Sequence, residues 1–475
     1  MISISARLIL ILGSGLALSG CAALQHRADS SLDPASVTIS ERFVLAEDIA
    51  EQDRSQISQL LPAGDPAFED LRSVALGNAP TLAAALARID QARAQAAQAG
   101  ANRLPNISGD VSVTGQRINT ATFGGNLPSG VGIDRYTTTF GSNILASWDP
   151  DIFGQLRATQ RAAVIRIDAA EADAQGVRHS LTAAIAGDIV DWRTLQARRA
   201  TLESDIATAA DLMEVTSKRS RAGISPGLDA VQAETLLAQA RAQMAPLEGE
   251  RARIIGSLVT LTGLSADRVI NALEKVQPGF APTTGFAATP AAMLRARPDI
   301  AAAEARLRAA DQDVAAAAAQ RFPRLTLSGT LGLISLALGD LFSNDAIVGT
   351  LGAGIAGPIL DFGRIESEID AGKARAREAF ADYRAAVFTA LGDAEAAYGQ
   401  LEATRREVAL LEQQEALEVD SVNLTSLRYR RGLTDFRAVL NAQRQLNAVR
   451  STADLARGRL HRTRIGLWLA LGGSN

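Results

Sequence analysis

The chain of 475 residues contains Asn102-Arg103-Leu104-Pro105-Asn106-Ile107 and, 218 residues later, Gln320-Arg321-Phe322-Pro323-Arg324-Leu325. Each stretch has an arginine, an apolar residue and a proline in the same order. Pro80 and Pro298 are separated by the same 218 residues, and the apolar residues that follow them share a heptad spacing. A pattern that recurs at a fixed distance indicates an internal duplication.

A second pair of motifs extends the duplication at a distance of 209 residues. Asp149-Pro150-Asp151-Ile152-Phe153-Gly154 resembles Pro358-Ile359-Leu360-Asp361-Phe362-Gly363. Arg221-Ala222-Gly223-Ile224-Ser225 matches Arg430-Arg431-Gly432-Leu433-Thr434 at that same distance. The shorter distance implies about nine extra residues between the two strands of the first half. Each half is predicted to run helix, strand, strand, long helix, glycine turn, helix.

Two segments in each half alternate between apolar and small or polar residues. They are 107–116 and 136–144 in the first half, and 325–333 and 347–355 in the second. Strands of about ten residues with one apolar face are typical of membrane β-barrels. The edge of a soluble β-sandwich is the alternative. Glycine-rich second faces and the rings of Trp148, Phe322 and Phe342 near the strand ends favour the barrel.

The helical segments have complementary lengths. Gln155 to Arg221 and Arg364 to Arg431 each extend about 100 Å at 1.5 Å per residue. In the first half, Pro80 to Leu104 and Leu228 to Leu264 extend about 37 and 55 Å, which together nearly match the long helix. The second half repeats these lengths, which indicates a cylinder of helices. Apolar residues at helical spacing are predicted seams between neighbours: Ile185, Ile189, Trp192 and Leu195, then Phe380, Tyr383, Val387 and Leu391.

Four strands per chain are too few to close a barrel, and lipid does not tolerate open strand edges. Two copies would supply eight strands, whose interior nearly fills with side chains. Three copies would supply twelve strands, which leave room for a pore. We therefore predict a cyclic homo-oligomer, with three as the smallest number of chains that leaves an opening.

Composition excludes several classes of function. Hydrophobic residues make up 47% of the chain and aromatic residues only 4%, which is typical of long packed helices rather than of an enzyme core. A net charge of −4 provides no electrostatic basis for a nucleic-acid partner. The three histidines, His26, His179 and His461, lie far apart in the sequence, and the chain has a single cysteine. We predict no catalytic residues, no cofactor, no metal site and no intrachain disulfide.

The N-terminus has the features of a lipoprotein signal. Arg7 precedes an apolar run from Leu8 to Leu18, as in secretory signal peptides. Leu18-Ser19-Gly20-Cys21 matches the bacterial lipobox, so residues 1–20 are predicted to be removed and Cys21 to carry the lipid. Ala22 follows, without the aspartate that would suggest retention in the inner membrane. An ordinary signal, or a signal anchor with a chance cysteine, is the alternative.

These motifs, in this order, resemble the TolC family of outer-membrane efflux proteins, in its OprM/NodT lipoprotein branch. The resemblance covers nearly the whole chain. Beyond the lipobox, it rests on stretches 148–154 and 357–364 at the strand–helix junctions. It also rests on 222–229 with 232–234, and on 429–432 with 439–443, at the two glycine turns. Each motif is weak alone, and the ordered set is specific.

The resemblance implies a trimer with a twelve-stranded outer-membrane barrel and a long periplasmic α-helical tunnel. The implied partners are a periplasmic membrane-fusion adaptor, an inner-membrane transporter of the resistance-nodulation-division class, and outer-membrane lipid. Gly223 and Gly432 would mark the periplasmic tips, where the resting channel closes. Asp229 matches a tip aspartate, Tyr429 matches the tyrosine that holds it, and Arg430 and Arg431 are charged neighbours of that contact.

One feature departs from the family pattern. Several relatives carry aspartates on the helix just past the second turn, where a ring of them narrows the lumen and favours cations. This chain has Ala438 and Asn441 at the nearest positions. The resemblance therefore predicts a lumen constriction in which an asparagine ring narrows the pore without that charge.

Two further readings stay open at the level of sequence. One is the outer-membrane channel of a type I protein-secretion system, and the other is a non-channel periplasmic coiled-coil scaffold lipoprotein. Under the efflux interpretation the chain divides into a signal peptide (1–20) and an extended anchor segment (21–70). A first repeat (71–264), a linker (265–290), a second repeat (291–471) and a tail (472–475) follow.

Overall fold

The computed structural model describes residues 32–38, 42–46, 59–117, 119, 135–275 and 290–473. The predicted signal peptide and Cys21 lie outside the described residues. So do 47–58 of the predicted anchor segment and 276–289 of the predicted linker.

Both halves show the predicted order of elements. In the first half these are α1 (Pro66–Asn78), α2 (Pro80–Ala101), β1 (Asn106–Arg117), β2 (Tyr136–Trp148), α3 (Gln155–Arg221), α4 (Gly227–Ala242), α5 (Ala245–Thr262) and α6 (Ala266–Leu273). In the second they are α7 (Pro290–Ala296), α8 (Pro298–Ala319), β3 (Arg324–Ser335), β4 (Ile347–Ala356), α9 (Arg364–Arg430) and α10 (Phe436–Ala470). The duplication is visible in the long helices, since α3 and α9 both have 67 residues.

One predicted helix is divided in the structure. We expected a continuous helix from Leu228 to Leu264, but α4 ends at Ala242 and α5 starts at Ala245. Pro246 explains the break, because proline lacks a backbone N–H and its ring clashes with the carbonyl of residue 242. The second repeat has Leu455 at the corresponding position, and α10 runs through it without interruption.

The four strands form one antiparallel sheet in the order β1-β2-β3-β4. The register pairs Asn106 with Ser147, Ile144 with Leu331, and Leu333 with Ile347. Apolar side chains at alternate positions of the strands are exposed in the single chain, which is the pattern predicted for a barrel wall. They include Ile107, Val111, Val113, Leu351 and Ile355. β1 and β4 each have one edge that pairs with no other strand in the described sheet.

An aspartate caps each long helix where it leaves the sheet. The Asp151 carboxylate accepts hydrogen bonds from two backbone N–H groups in the first turn of α3, at 2.9 and 2.7 Å. The Asp361 carboxylate accepts one from Ile365 in the first turn of α9 at 3.0 Å, and one from Gly363 just before the helix at 3.2 Å. The N–H groups of a first helical turn have no partner within the helix, and the helix dipole favours a negative charge there. The repeated Asp-containing motif therefore stabilises the strand-to-helix junction in both halves.

The chain forms two compact units. One comprises Met1–Ser36, Ile89–Ala169 and Ala303–Asp382 and contains the sheet; the other comprises Val37–Arg88, Ala170–Ala302 and Tyr383–Asn475. The second unit has the larger apolar core, whose fully buried side chains include Phe68, Leu71, Ile254 and Trp468. The predicted seam on α3 is confirmed, because all four of its apolar residues are buried in that core. Of the predicted seam on α9, Val387 is buried and the other three residues are half-buried.

Within the described ranges, none of the helices combines the length and the apolar character needed to cross a membrane.

Candidate functional site at the glycine turns

The turn between α3 and α4 is built around Gly223. This glycine has a φ of 71°, in the left-handed region that favours glycine. The N–H of Ile224 donates to the carbonyl of Arg219 at 2.9 Å, and the N–H of Gly223 donates to that of Ser220 at 3.0 Å. This pair of bonds is the Schellman arrangement, which satisfies the last carbonyls of a helix and stops it.

The turn between α9 and α10 has the same construction. Gly432 has a φ of 72°. The N–H of Leu433 donates to the carbonyl of Arg428 at 2.9 Å, and the N–H of Gly432 donates to that of Tyr429 at 2.9 Å. Arg428 and Gly432 follow Arg219 and Gly223 by the same 209 residues. The duplication thus extends to the hydrogen bonds of the turns.

Asp229 lies in the first turn of α4, where the helix dipole favours its negative charge. Its backbone N–H donates to the carbonyl of Pro226 at 3.1 Å, and its side chain is half-buried. No described residue of the same chain forms an ion pair or hydrogen bond with its carboxylate. Its carboxylate therefore remains available to a group from outside the chain.

Tyr429 is held by ring contacts rather than by its hydroxyl. The ring lies 5.6 Å from that of Phe436, and the guanidinium carbon of Arg219 lies 5.2 Å from its centroid. The hydroxyl is buried and forms no hydrogen bond with a described residue. A direct bond between Tyr429 and Asp229 is therefore absent within the described part of one chain. Their predicted joint role stays a prediction about the assembled protein.

Arg430 and Arg431 are both exposed next to the second turn. The Arg430 Nε donates to the carbonyl of Ser426 at 3.4 Å, a long contact within α9. Cations in the last turn of a helix complement its dipole. Both guanidinium groups remain accessible to a partner.

Ala438 and Asn441 lie near the start of α10. The N–H of Ala438 donates to the Asp435 carboxylate at 3.1 Å, which caps the helix. Ala438 is half-buried, while Asn441 is exposed and follows the buried Leu440. Asn441 thus faces away from the apolar cluster behind the turns, which contains Phe436, Val439 and Leu440 of α10 and Leu236 and Leu237 of α4. This placement leaves the Asn441 amide free to face a pore.

A group of buried polar atoms beside the two turns lacks hydrogen-bond partners among the described residues: Arg219 Nε, Ser225 Oγ, Gln232 Oε1 and Tyr429 Oη. Of these residues the sequence analysis predicts a role in the site for Tyr429 but not for Arg219, Ser225 or Gln232. Buried polar atoms are normally paired, so each of them suits a contact that a single chain does not supply. Nothing in the sequence distinguishes Arg219 from the other arginines near the turns.

A charged seam lies further along the same helices. Asp205 of α3 is buried and faces Arg450 of α10, with 3.6 Å between the Asp205 Oδ1 and the Arg450 Nη1. Burial raises the pKa of Asp205 to about 6, and Asp454 adds to the rise, while Arg450 opposes it. Arg450 also approaches Glu415 of α9 at 3.5 Å. Among the described residues, no group of three or more His, Cys, Asp or Glu side chains is placed to hold a metal ion.

A family model described as outer membrane efflux protein matches residues 71–264 and 289–473. The chain belongs to the outer membrane efflux protein family. The family assignment made from the motifs is confirmed. Family members are outer-membrane channels.

This chain is similar to known efflux proteins over most of its length. It is 30% identical to the pyoverdine export outer membrane protein OpmQ of Pseudomonas aeruginosa, over 98% of this chain and 96% of the relative. It is 28% identical to the toluene efflux pump outer membrane protein TtgI of Pseudomonas putida, over 83% of each chain. These relatives confirm the predicted function, the outer-membrane channel component of a tripartite efflux pump.

Solved structures show the same fold. The outer-membrane channel OprN is 26% identical, with a TM-score of 0.83 over 94% of this chain and 98% of its own. VceC of Vibrio cholerae is 26% identical, with a TM-score of 0.78 over 86% and 96%. CusC is 22% identical to this chain, with a TM-score of 0.79, which shows that the two proteins share a fold. The predicted fold class, helical with strands for a barrel, is confirmed.

Proposed function

We propose that three copies of this family member form one passive duct through the outer membrane. The observation that carries this proposal is the four-stranded sheet, whose outer strands β1 and β4 each have one edge that pairs with no other described strand. An edge in lipid needs a partner strand, because unpaired backbone groups find no water there. Edge-to-edge pairing of three sheets gives twelve strands, enough to enclose an aqueous opening.

Native mass spectrometry of the detergent-solubilised protein tests the number of chains. A trimer is expected as the dominant species, because eight strands nearly fill their own interior. A dominant monomer or dimer would contradict the proposed assembly. The measurement uses the full chain, so it includes any lipid that the protein carries.

Within this trimer the glycine turns at Gly223 and Gly432 form the periplasmic tip. The tip is closed for most of the time at rest, with brief spontaneous openings. It opens fully when it binds a membrane-fusion adaptor that is coupled to an inner-membrane transporter of the resistance-nodulation-division class. Support comes from two groups that have no hydrogen-bond partner among the described residues of their own chain: the Asp229 carboxylate and the Tyr429 hydroxyl. Arg430 and Arg431 supply exposed positive charge beside them. Contacts between neighbouring copies would satisfy these groups and hold the tip shut.

The cargo is a small molecule selected by the inner-membrane transporter. The likeness to a pyoverdine export protein over 98% of this chain supports pyoverdine as the first cargo to test. The toluene efflux relative, matched over 83% of this chain, makes apolar solvents the second. Export assays in a strain that lacks its own outer-membrane channel distinguish the two. Restored export of neither class, by a protein that reaches the membrane, would contradict the proposed cargo.

Cys21 is expected to be the acylated N-terminus of the mature protein. The residue lies outside the described part of the structure, so the support is the complete lipobox Leu18-Ser19-Gly20-Cys21. Mass spectrometry of the N-terminal peptide should show a diacylglyceryl thioether on Cys21, whose two acyl chains give stable anchoring. Cys21→Ser should lose this modification but keep the fold. An unmodified peptide that runs through Gly20-Cys21 would contradict lipidation.

A further inference from the structure

A cation–π contact connects the two glycine turns within one chain. The guanidinium carbon of Arg219 lies 5.2 Å from the centroid of the Tyr429 ring. Arg219 belongs to the last turn of α3, in the first repeat, and Tyr429 to the last turn of α9, in the second. A cation over an aromatic face at this distance is attracted by the electrons of the ring. The contact therefore links the segments that precede the two turns.

One polar atom of each side chain is left unpaired by this arrangement. Arg219 Nε and the Tyr429 hydroxyl are buried and have no hydrogen-bond partner among the described residues. Leaving such atoms unpaired costs free energy. The Tyr429 ring is therefore oriented by its contacts with the Arg219 guanidinium and the Phe436 ring, and these contacts determine where the hydroxyl points. In the trimer, that hydroxyl is available to a neighbouring copy.

The duplication provides a natural comparison for Arg219. Arg428 occupies the same place before the second turn, with its carbonyl accepting the corresponding bond. Its side chain is exposed and contacts no aromatic ring among the described residues, whereas Arg219 is half-buried. The two arginines thus have the same charge and the same turn geometry but differ in burial and in contacts. Among the described residues, the Arg219 guanidinium stacks on the Tyr429 ring and that of Arg428 does not.

We propose that Arg219 is a positioning residue of the gate, which holds the Tyr429 ring in the closed arrangement of the tip. This inference rests on the proposed function, in which the tip turns close the resting channel. Without the Arg219 guanidinium, the Tyr429 ring can move relative to α3. The two turns of one chain then separate more readily, and the open arrangement gains population.

Single-channel recording of the purified full chain in planar bilayers tests this role. Arg219→Gln is expected to raise the ratio of open to closed time about two- to five-fold, the range that corresponds to an ordinary cation–π contact. Arg219→Met, which keeps the aliphatic stem, should behave in the same way. Arg219→Lys should stay close to the native ratio, since an ammonium group also binds a ring face. Arg428→Gln is the matched control and should leave the ratio unchanged.

A double-mutant comparison separates the ring from the hydroxyl. In a Tyr429→Leu background, which lacks the ring, Arg219→Gln should add nothing further. In a Tyr429→Phe background, which keeps the ring face, Arg219→Gln should still raise the ratio. Native mass spectrometry of each variant confirms that trimers are being compared.

If the native protein conducts, any one of three results would overturn the inference. They are an unchanged ratio for both Arg219→Gln and Arg219→Met, an equal rise for Arg428→Gln, or an undiminished rise in the Tyr429→Leu background. A native protein that reaches the bilayer folded and does not conduct would instead refute the proposed function.

Discussion

Replacing Asp229 with Ala and Tyr429 with Phe together is expected to raise the conductance of the resting channel. Both groups lie beside the turns, and neither finds a hydrogen-bond partner within the described part of its own chain. In the trimer, closure would pair them with groups of the neighbouring copy, including the exposed Arg431. Removing about 1–2 kcal/mol of closed-state stabilisation shifts the ratio of open to closed channels about 5- to 30-fold.

The control for this double variant makes the same two types of substitution at positions away from the glycine turns. Asp267 lies in the first turn of α6, as Asp229 does in α4, and Tyr383 is a half-buried tyrosine of α9. Asp267→Ala with Tyr383→Phe should leave both the conductance and the ratio of open to closed channels at the native values. If the tip variant also conducts like the native protein, the gate lies elsewhere. If both variants open the channel, the effect is general loosening of the fold.

Asn441→Asp is expected to make the pore more selective for cations. Asn441 is exposed on α10, nine residues past Gly432, and faces away from the buried cluster behind the turns. If α10 lines the lumen, three-fold symmetry makes one residue into a ring of three. Rings of carboxylates concentrate cations in a narrow pore, whereas an amide of nearly equal volume constricts without adding charge.

Reversal potentials in a salt gradient measure this change. The Asn441→Asp channel should shift its reversal potential toward the cation limit, and the shift should shrink at high salt because ions screen the ring. Asn423→Asp adds the same charge at an exposed position of α9 and serves as the control. Equal potentials for native protein and Asn441→Asp would mean that residue 441 does not face the constriction.

The sequence predicted most of the architecture because long elements have strong patterns. The 67-residue helix α3 was expected over the range that the structure shows, and α9 differs by one residue at its end. The four strands were expected from alternation, since one face of each must be apolar. The apolar pattern after the first turn is continuous, but Pro246 divides that helix. Proline disrupts a helix locally, so this break is encoded in the sequence itself.

The site was only partly predictable. Glycine at 223 and 432 indicates a helix stop, because a left-handed backbone conformation is needed there. The identity of the arginine that stacks on Tyr429 was not predictable, because Arg219 and Arg428 occupy equivalent positions in the two repeats. The burial of one and the exposure of the other depend on tertiary packing, which periodicity does not encode. Asp229 and Tyr429 have no hydrogen-bond partner for their carboxylate and hydroxyl among the described residues, so the packing of one chain does not identify what these groups bind.

Single-channel recording of the native protein in a planar bilayer tests the central claim, that this chain builds an aqueous duct. Purified trimers should insert and give discrete current steps of one size class. The steps should be present without any nucleotide or cofactor, because the duct is passive. Folded trimers that insert into the bilayer and pass no current, at any voltage that the membrane withstands, would contradict the account.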